Sequence, residues 1–394
     1  MLKFQVHSPG KVILHGEHAV VYQKPALAAV VGLGTKLQLR TQLNSQVASF
    51  QLDALNCTLE IDLNEFNAFL ANFRSKYPGD QSESTAKLME EVRAEVAKQL
   101  ERTGGNSSPK QHTQRAFISI YYLLAGAVLT APSESSLTLQ SGFQVQVDTE
   151  LNVGAGLGSS ASYGAALATA FLIMAGHFDQ SSYLQDENLA LISHWAYESE
   201  RVNHGTPSGV DNTVCTYGGI LRFVKGQGFQ ALKIQKPLNI LLVDSRISRS
   251  TADIVAKVRH LAEEFPQLIE AIWQACEQLV SSAIPLYESF GNAQDDSQKF
   301  EKLERLFQIN NDLLKAIGVS HPKLEQIFTI AFKRGFFSKL TGAGAGGYAI
   351  VLLPENYECN EVYWKLKEEL EGAGFGVHVT TAGGVGLRVS SLDD

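Results

Sequence analysis

The chain has 394 residues, 44% of them hydrophobic and 19% charged, a composition that builds large cores and excludes intrinsic disorder, and its length suggests more than one folding unit. With 33 Lys and Arg against 41 Asp and Glu the net charge is −8, so the basic footprint that nucleic-acid binding needs is missing. The four cysteines (Cys57, Cys215, Cys276, Cys359) form no Cys-x-x-Cys pair, which argues against a zinc site or a disulfide framework and predicts free, mostly buried thiols.

The start, M-L-K-F-Q-V-H-S-P-G, lacks the apolar stretch and cleavage site of a secretory signal; a cytoplasmic protein is expected, in which the sequons at Asn56 and Asn106 are chance matches. Over residues 4–60 apolar and polar side chains alternate in short runs, the pattern of strands joined by tight turns. Helical spacing replaces it over 84–100. Residues 102–115 are rich in Gly, Ser and Pro without periodicity and predict a loop. A helix over 117–129, a strand over 142–148 and a glycine-rich stretch leading into an apolar helix follow. The apolar segments 116–132 and 164–176 are short or interrupted and suit buried helices better than membrane spans.

Beyond residue 228, strand-like F-Q-A-L-K-I and L-N-I-L-L-V-D-S precede a run of helices. Apolar spacing of three and four persists from Val258 to Val280, with Pro266 placed where a first helical turn tolerates it. Further helices are predicted over 300–317, 324–333 and 362–370, among strand-like segments over 336–340, 348–353, 375–381 and 386–390. These amphipathic helices need a sheet to cover. The expected organisation is α+β in two domains, 1–229 and 230–394, without an internal repeat.

Four segments carry the candidate chemistry. G-A-G-L-G-S-S-A-S starts at Gly154 and runs straight into the apolar helix. Glycines let backbone N–H groups wrap an anion, and the helix behind them presents unsatisfied N–H groups and its positive end to the same point, so the segment predicts a phosphate cradle. The dipole supplies only about 0.3–2 kcal/mol, which leaves most of the affinity to convergent N–H bonds and a metal. Ser and Gly at a helix start are also ordinary capping residues. The cradle is neither a P-loop, which needs a Lys, nor a dinucleotide fingerprint, which needs Gly where Ser159 stands. K-L-T-G-A-G-A-G-G, with Gly342, Gly344 and Gly347, matches that fingerprint formally, but the strand-like Y-A-I-V-L-L after it points to a glycine hairpin.

In E-S-E-R-V-N-H-G-T-P-S-G-V-D-N a turn-forming stretch separates Glu200 from Asp211, so that a helix delivers the Glu and the loop beyond it the Asp. One carboxylate suits magnesium and the other suits a proton from an attacking hydroxyl, although solvated surface acids give the same pattern. In P-G-K-V-I-L-H-G-E-H-A-V-V the charged Lys11, Glu17 and His18 interrupt an apolar run. Lys11 is suited to a place between a carboxylate and a phosphoryl group. His15 and His18 lack a third ligand for a metal.

Together these segments resemble the GHMP kinase superfamily (galactokinase, homoserine kinase, mevalonate kinase, phosphomevalonate kinase). All three of its motifs occur in its order over residues 8–347, in versions close to the eukaryotic mevalonate kinase branch. The resemblance implies a two-domain α+β fold with a left-handed β-α-β crossover and a cleft between the domains for MgATP and mevalonate. It implies transfer of phosphate from ATP to the C5 hydroxyl of mevalonate, in isoprenoid and sterol precursor synthesis. Gly154, Ala155, Gly156, Leu157, Gly158, Ser159 and Ser160 would wrap the ATP phosphates, with Gly342 and Gly344 closing over them. Ser160 and Glu200 would hold Mg²⁺, and Asp211 would act on the C5 hydroxyl as a base or as a transition-state stabiliser. Lys11 would pair with Asp211 and the γ-phosphate. Glu17, His18 and Thr251 fall on the substrate side, and Asn56 and Thr149 correspond more loosely to nucleotide contacts.

A homodimer, and feedback by isoprenoid diphosphates at the ATP site, are implied as well. Ala345 stands where the family's third motif has glycine, and Asn152 and Val153 where prolines are common. A phosphomevalonate kinase or a diphosphate decarboxylase needs extra basic residues for its phosphorylated substrate, and no Arg or Lys cluster is visible near His18 or Thr251. A non-catalytic sensor of this fold has no need of Lys11, Glu200 and Asp211 together.

Overall fold

The structure is a computed structural model that describes residues 2–392 apart from 79–80, 104–110, 134–137, 153, 155, 205–206 and 292–295. The N-terminal alternation becomes two long antiparallel strands, β1 (Lys3–His15) and β2 (Ala26–Gln42), followed by the hairpin β3 (Val47–Leu52) and β4 (Cys57–Asp62). No element is predicted for the next segment, yet α1 (Leu63–Lys76) has a plain local basis. Asp62 caps it by accepting from the N–H groups of Asn64 (2.8 Å) and Glu65 (3.1 Å), and Leu63, Phe66, Leu70 and Phe73 form its buried stripe.

The predicted 102–115 loop is shorter than expected. α2 (Gln81–Thr103) and α3 (Gln111–Leu129) enter it from both sides, and the part between lies outside the described residues. The first turn of α3 is polar because it is exposed, so no apolar period marks it. β5 (Gly142–Thr149), α4 (Ser159–Met174), α5 (Asp186–His204), α6 (Val210–Tyr217), β6 (Ile220–Val224) and β7 (Gly228–Ala231) follow. β8 (Leu238–Asp244) opens the second half, and the long helical period after it breaks into α7 (Thr251–Glu264) and α8 (Pro266–Ser289), with Pro266 in the first turn of α8 as expected. α9 (Ser297–Ala316), α10 (Pro322–Lys333), β9 (Ser338–Leu340), β10 (Tyr348–Leu352), α11 (Glu361–Gly372), β11 (Gly376–Ala382) and β12 (Arg388–Ser391) complete the mixed α+β architecture.

The strands among the described residues join one 12-stranded sheet whose main path is β4-β3-β5-β2-β11-β8-β10-β9, with β1 beside β2 and β12. A sequence cut at residue 229 does not divide this sheet. β11 pairs with β8 and touches β2 through Ala382 and Val31, and β12 returns to β1, Ser391 opposite Phe4. One core lies under α1–α5, a second among α7, α8, α10 and α11, and a third joins the halves by packing Val12, Leu14 and Leu27 against Leu242, Phe307 and Ile350. The third core underlies the glycine segments. Cys215 and Cys276 are buried and Cys57 half-buried, but Cys359 is exposed; all four are free. No helix among the described residues is long and apolar enough to cross a membrane.

Candidate active site

The site is built where β1 loses its regularity. Its register against β2 shifts at Pro9/Gly10 and again at Ile13/His15, and such bulges re-aim the side chains beyond them. Gly10 must be glycine, because a Cβ there would stand 2.8 Å from the Leu157 carbonyl oxygen. The next residue, Lys11, donates its N–H to that same carbonyl at 2.8 Å, stitching the strand to the phosphate loop. α4 then starts after Gly158 in the left-handed conformation (φ +72°), with no side chain capping it, so its first N–H groups face the cleft.

Hydroxyls anchor this helix from behind. Ser162 Oγ donates to the Ser8 carbonyl (2.7 Å) and stands 2.9 Å from Thr35 Oγ1, which is 3.2 Å from Thr149 Oγ1. Thr149, expected at the nucleotide, is thus part of the clamp that holds the loop to β2 and β5. Asn56 is exposed and closes the β3–β4 turn at φ +48°. Ala155 and Val153 lie outside the described residues.

Two helices bring in the carboxylates. α5 carries Glu200, and Asp211 sits in the first turn of α6 after Gly209 (φ +84°), a helical residue rather than the loop residue expected. Lys11 Nζ stands 3.2 Å from Asp211 Oδ1, the lysine side chain 7% and the aspartate 33% exposed. Glu200 is buried and hydrogen-bonds Ser160. Burial, and then the neighbouring Asp211 charge, push its carboxyl up to about 7 against the pull of Ser160 and Lys11. Two acids against one lysine at a helix N-terminus leave an excess of negative charge. Among the described residues no cluster of three or more His, Cys, Asp or Glu could enclose a metal. The donor set fits Mg²⁺, which keeps waters and takes phosphate oxygens beside one or two carboxylates.

The third segment is the expected glycine hairpin, between β9 and β10. Gly342 (φ +73°), Gly344 (φ +78°) and, against preference, Ala345 (φ +54°) adopt left-handed conformations. Thr341 Oγ1 accepts from the Ile13 N–H at 2.9 Å, and His18 donates Nε2–H to the Ala343 carbonyl at 2.9 Å. Burial lowers the His18 pKa, so the ring is neutral at pH 7. The motifs at Lys11–His18, Gly154–Ser160, Glu200–Asp211 and Gly342–Gly344 therefore meet at one place.

Some expectations need correction. Glu17 does not face the cleft: it is fully buried, ion-paired with Lys339, and accepts from Asn310 Nδ2 at 2.9 Å. It ties the end of β1 to α9 and β9. His15 is a core residue bonded to the Tyr287 hydroxyl (2.8 Å) with Phe307 edge-on, which removes any metal pair with His18. Thr251 opens α7 and is exposed.

Sequence reasoning missed Arg249, two residues before Thr251. Its Nη1 donates to the carbonyls of Gly344 and Gly346 (2.9 Å each), and Nη2 fills the space a side chain on Gly156 would occupy. Burial lowers its pKa to about 10. The segment S-R-I-S-R, which follows the buried strand L-N-I-L-L-V-D, is a signal that could have pointed to it, since strand ends face the cleft, although the sequence does not separate Arg249 from Arg246.

The chain is similar to known proteins over nearly its whole length. The family model "GHMP kinases N terminal domain" matches residues 122–219, the span from α3 through both carboxylates. The mevalonate kinase of Bos taurus is 34% identical over 405 residues, covering 98% of this chain and 96% of the relative. That of Mus musculus is 35% identical over 400 residues, covering 98% and 95%. In fold, the crystal structure of L. major mevalonate kinase in complex with R-mevalonate matches with a TM-score of 0.63 at 23% identity, over 98% of this chain and 96% of that one.

Proposed function

The chain belongs to the mevalonate kinase family of the GHMP kinases, enzymes that phosphorylate mevalonate with ATP in isoprenoid biosynthesis, and on that premise we propose that Lys11, Asp211, Glu200 and Ser160 carry out the transfer. The observation that carries this assignment is the Lys11–Asp211 contact (3.2 Å) beside the Glu200–Ser160 pair at the uncapped start of α4.

Asp211 receives the proton of the C5 hydroxyl as that oxygen attacks the γ-phosphorus; a new P–O bond forms and the one to ADP breaks. Lys11, held between Asp211 and the loop, pairs with the aspartate and balances charge growing on the transferred group. The amides of 154–160, with Gly342 and Gly344, hold the phosphates in line. Glu200 and Ser160 would hold Mg²⁺, whose chemistry is to neutralise phosphate charge. His18, pinned neutral on the third loop, and Thr251 bound the acceptor side. Glu17 supports His18 from beneath. Asn56 and Thr149 line the approach to the nucleotide, Thr149 chiefly through its clamp.

Four coarser features belong to the same proposal. The halves 1–229 and 230–394 act as two domains, with β12 returning to the first, which limited proteolysis tests: the absence of any preferred cut near residue 229 would contradict it. The protein is a homodimer, and a monomer mass in sedimentation would exclude that. Isoprenoid diphosphates compete with ATP because they offer the same phosphates to the cradle; non-competitive inhibition would exclude it. The location is cytoplasmic, tested by fractionation, where recovery in an organelle would refute it.

The deciding experiment is ADP release with MgATP and each of mevalonate, phosphomevalonate, galactose and homoserine. Selective turnover of mevalonate, abolished by Asp211→Ala, is expected. ATP binding without turnover of any of the four would make the chain a sensor instead.

A further inference from the structure

We propose that Asn152 is a positioning residue of the transfer, a latch that ties the entry of the phosphate loop to the second half of the molecule and so fixes the cradle against the acceptor side. The inference deepens the proposed function and rests on it. Three side chains form a closed triangle. Asn152 Nδ2 donates to Asp244 Oδ2 at 3.0 Å and to the Tyr348 hydroxyl at 2.9 Å, which uses both hydrogens of the amide, and the phenol in turn bonds Asp244. The other carboxylate oxygen, Oδ1, accepts from the Arg246 N–H at 2.8 Å.

The corners belong to the segments that the transfer needs held together. Asn152 lies between β5 and α4, two residues before the first glycine of the cradle. Asp244 ends β8, where the chain leaves the sheet toward α7, and Tyr348 opens β10, where the glycine hairpin re-enters it. The receiving end is rigid, because Asp244 stands opposite Tyr348 on one side and Gly376 on the other, and Tyr348 is 1% exposed. On either side of Asn152 the chain is held to the first half instead. The Leu151 N–H bonds Thr149 Oγ1 at 3.2 Å, and the Leu157 carbonyl accepts from the Lys11 N–H at 2.8 Å. Among the described residues of 152–156, Asn152 alone hydrogen-bonds the second half. Packing does not replace it, since a Cβ added at Gly154 would find no atom within 4 Å. Prolines, common in the family at 152 and 153, stiffen a chain by fixing φ but cannot donate; here the Asn152 side chain supplies the restraint.

Bonds from an exposed side chain add little to folding, whereas misplacing reacting groups by about 1 Å can cost about 10²-fold in rate. The loss is therefore expected in turnover. The test is steady-state kinetics of the full chain with mevalonate and MgATP, beside thermal unfolding. Asn152→Ala lowers kcat by roughly 10-fold, with KM for either substrate within about threefold and the thermal midpoint within about 2 °C of the parent. Tyr348→Phe, which takes away one corner, lowers kcat by about threefold, and adding it to Asn152→Ala lowers kcat no further. If the Ala variant fails to fold by circular dichroism, Tyr348→Phe carries the test. A kcat equal to or above the parent's in the folded variants overturns the inference. So does a raised KM for MgATP with kcat kept, which would make the latch an aid to nucleotide binding alone. A parent without turnover of mevalonate instead refutes the proposed transfer and, with it, this role.

Discussion

Glu17, behind the cleft, and Glu200, within it, are both buried carboxylates, and the chain surrounds them oppositely. Glu17 has Lys339 on one oxygen and Asn310 at 2.9 Å on the other, and Lys339 in turn reaches the Ile13 carbonyl at 3.2 Å. Every charge there is answered within the protein. Glu200 faces a second carboxylate, and its pKa is pushed up to about 7. A buried pair that is fully satisfied is a strut, whereas buried charge of one sign is stable only when a ligand of the other sign arrives.

The sharpest way to break this comparison is at the mouth. Asp211→Asn is expected to lower kcat by a factor of about 10²–10⁴ while MgATP still binds, as measured by steady-state kinetics and titration calorimetry. Near-normal turnover would remove Asp211 from the chemistry. At the strut the loss falls on stability instead. Lys339→Met strands Glu17 and is expected to cost about 3–5 kcal/mol in denaturant unfolding, with the double variant Glu17→Gln/Lys339→Met losing less than the sum of the singles. Additive losses would mean that the two residues are not a unit.

Glu200→Gln separates the regions by pH. In the ligand-free protein the group titrates at about 7 folded and 4.5 unfolded. Below pH 4.5 both states are protonated and the position contributes nothing. Between 4.5 and 7 the unfolded state loses its proton first, so stability falls as pH rises, by about 3 kcal/mol once above 7. The Gln variant therefore matches the parent near pH 4 and is more stable near pH 7.5, while binding MgATP more weakly and mevalonate about as well. Parallel stability curves would show that Glu200 is not held against its charge. The smallest effect is expected at Ala345→Gly, which relieves a φ of +54° and should raise stability by no more than about 1 kcal/mol, read as a shift in thermal midpoint. A loss of stability would mean that the methyl's packing outweighs the backbone strain.

Much of the site was legible because its chemistry is local. The cradle is a run of glycines before an apolar helix, and both belong to one short segment. Glu200 and Asp211 stand in one motif with the turn between them, even though Asp211 proved to be helical. Glu17 reads as a substrate-side residue, yet its partner is internal. A charged residue in an apolar run reads the same whether its partner is a ligand or a lysine 322 positions away. The cap and stripe of α1 are both in the sequence, whereas the ends of the 102–115 segment read as loop because exposed helix carries no apolar period.

The sequence by itself determined the strands and helices with a buried face, the phosphate loop, the pair of acids, and through them the family. These follow from neighbours within a few turns of chain, where side-chain period and backbone freedom act directly. Tertiary contacts alone set that β12 returns to β1, that Glu17 is a strut, and that Arg249 reaches between two glycine loops with no ion pair among the described residues. Each of these depends on which distant charge or strand edge meets which, and burial, rather than spacing, makes that choice matter energetically.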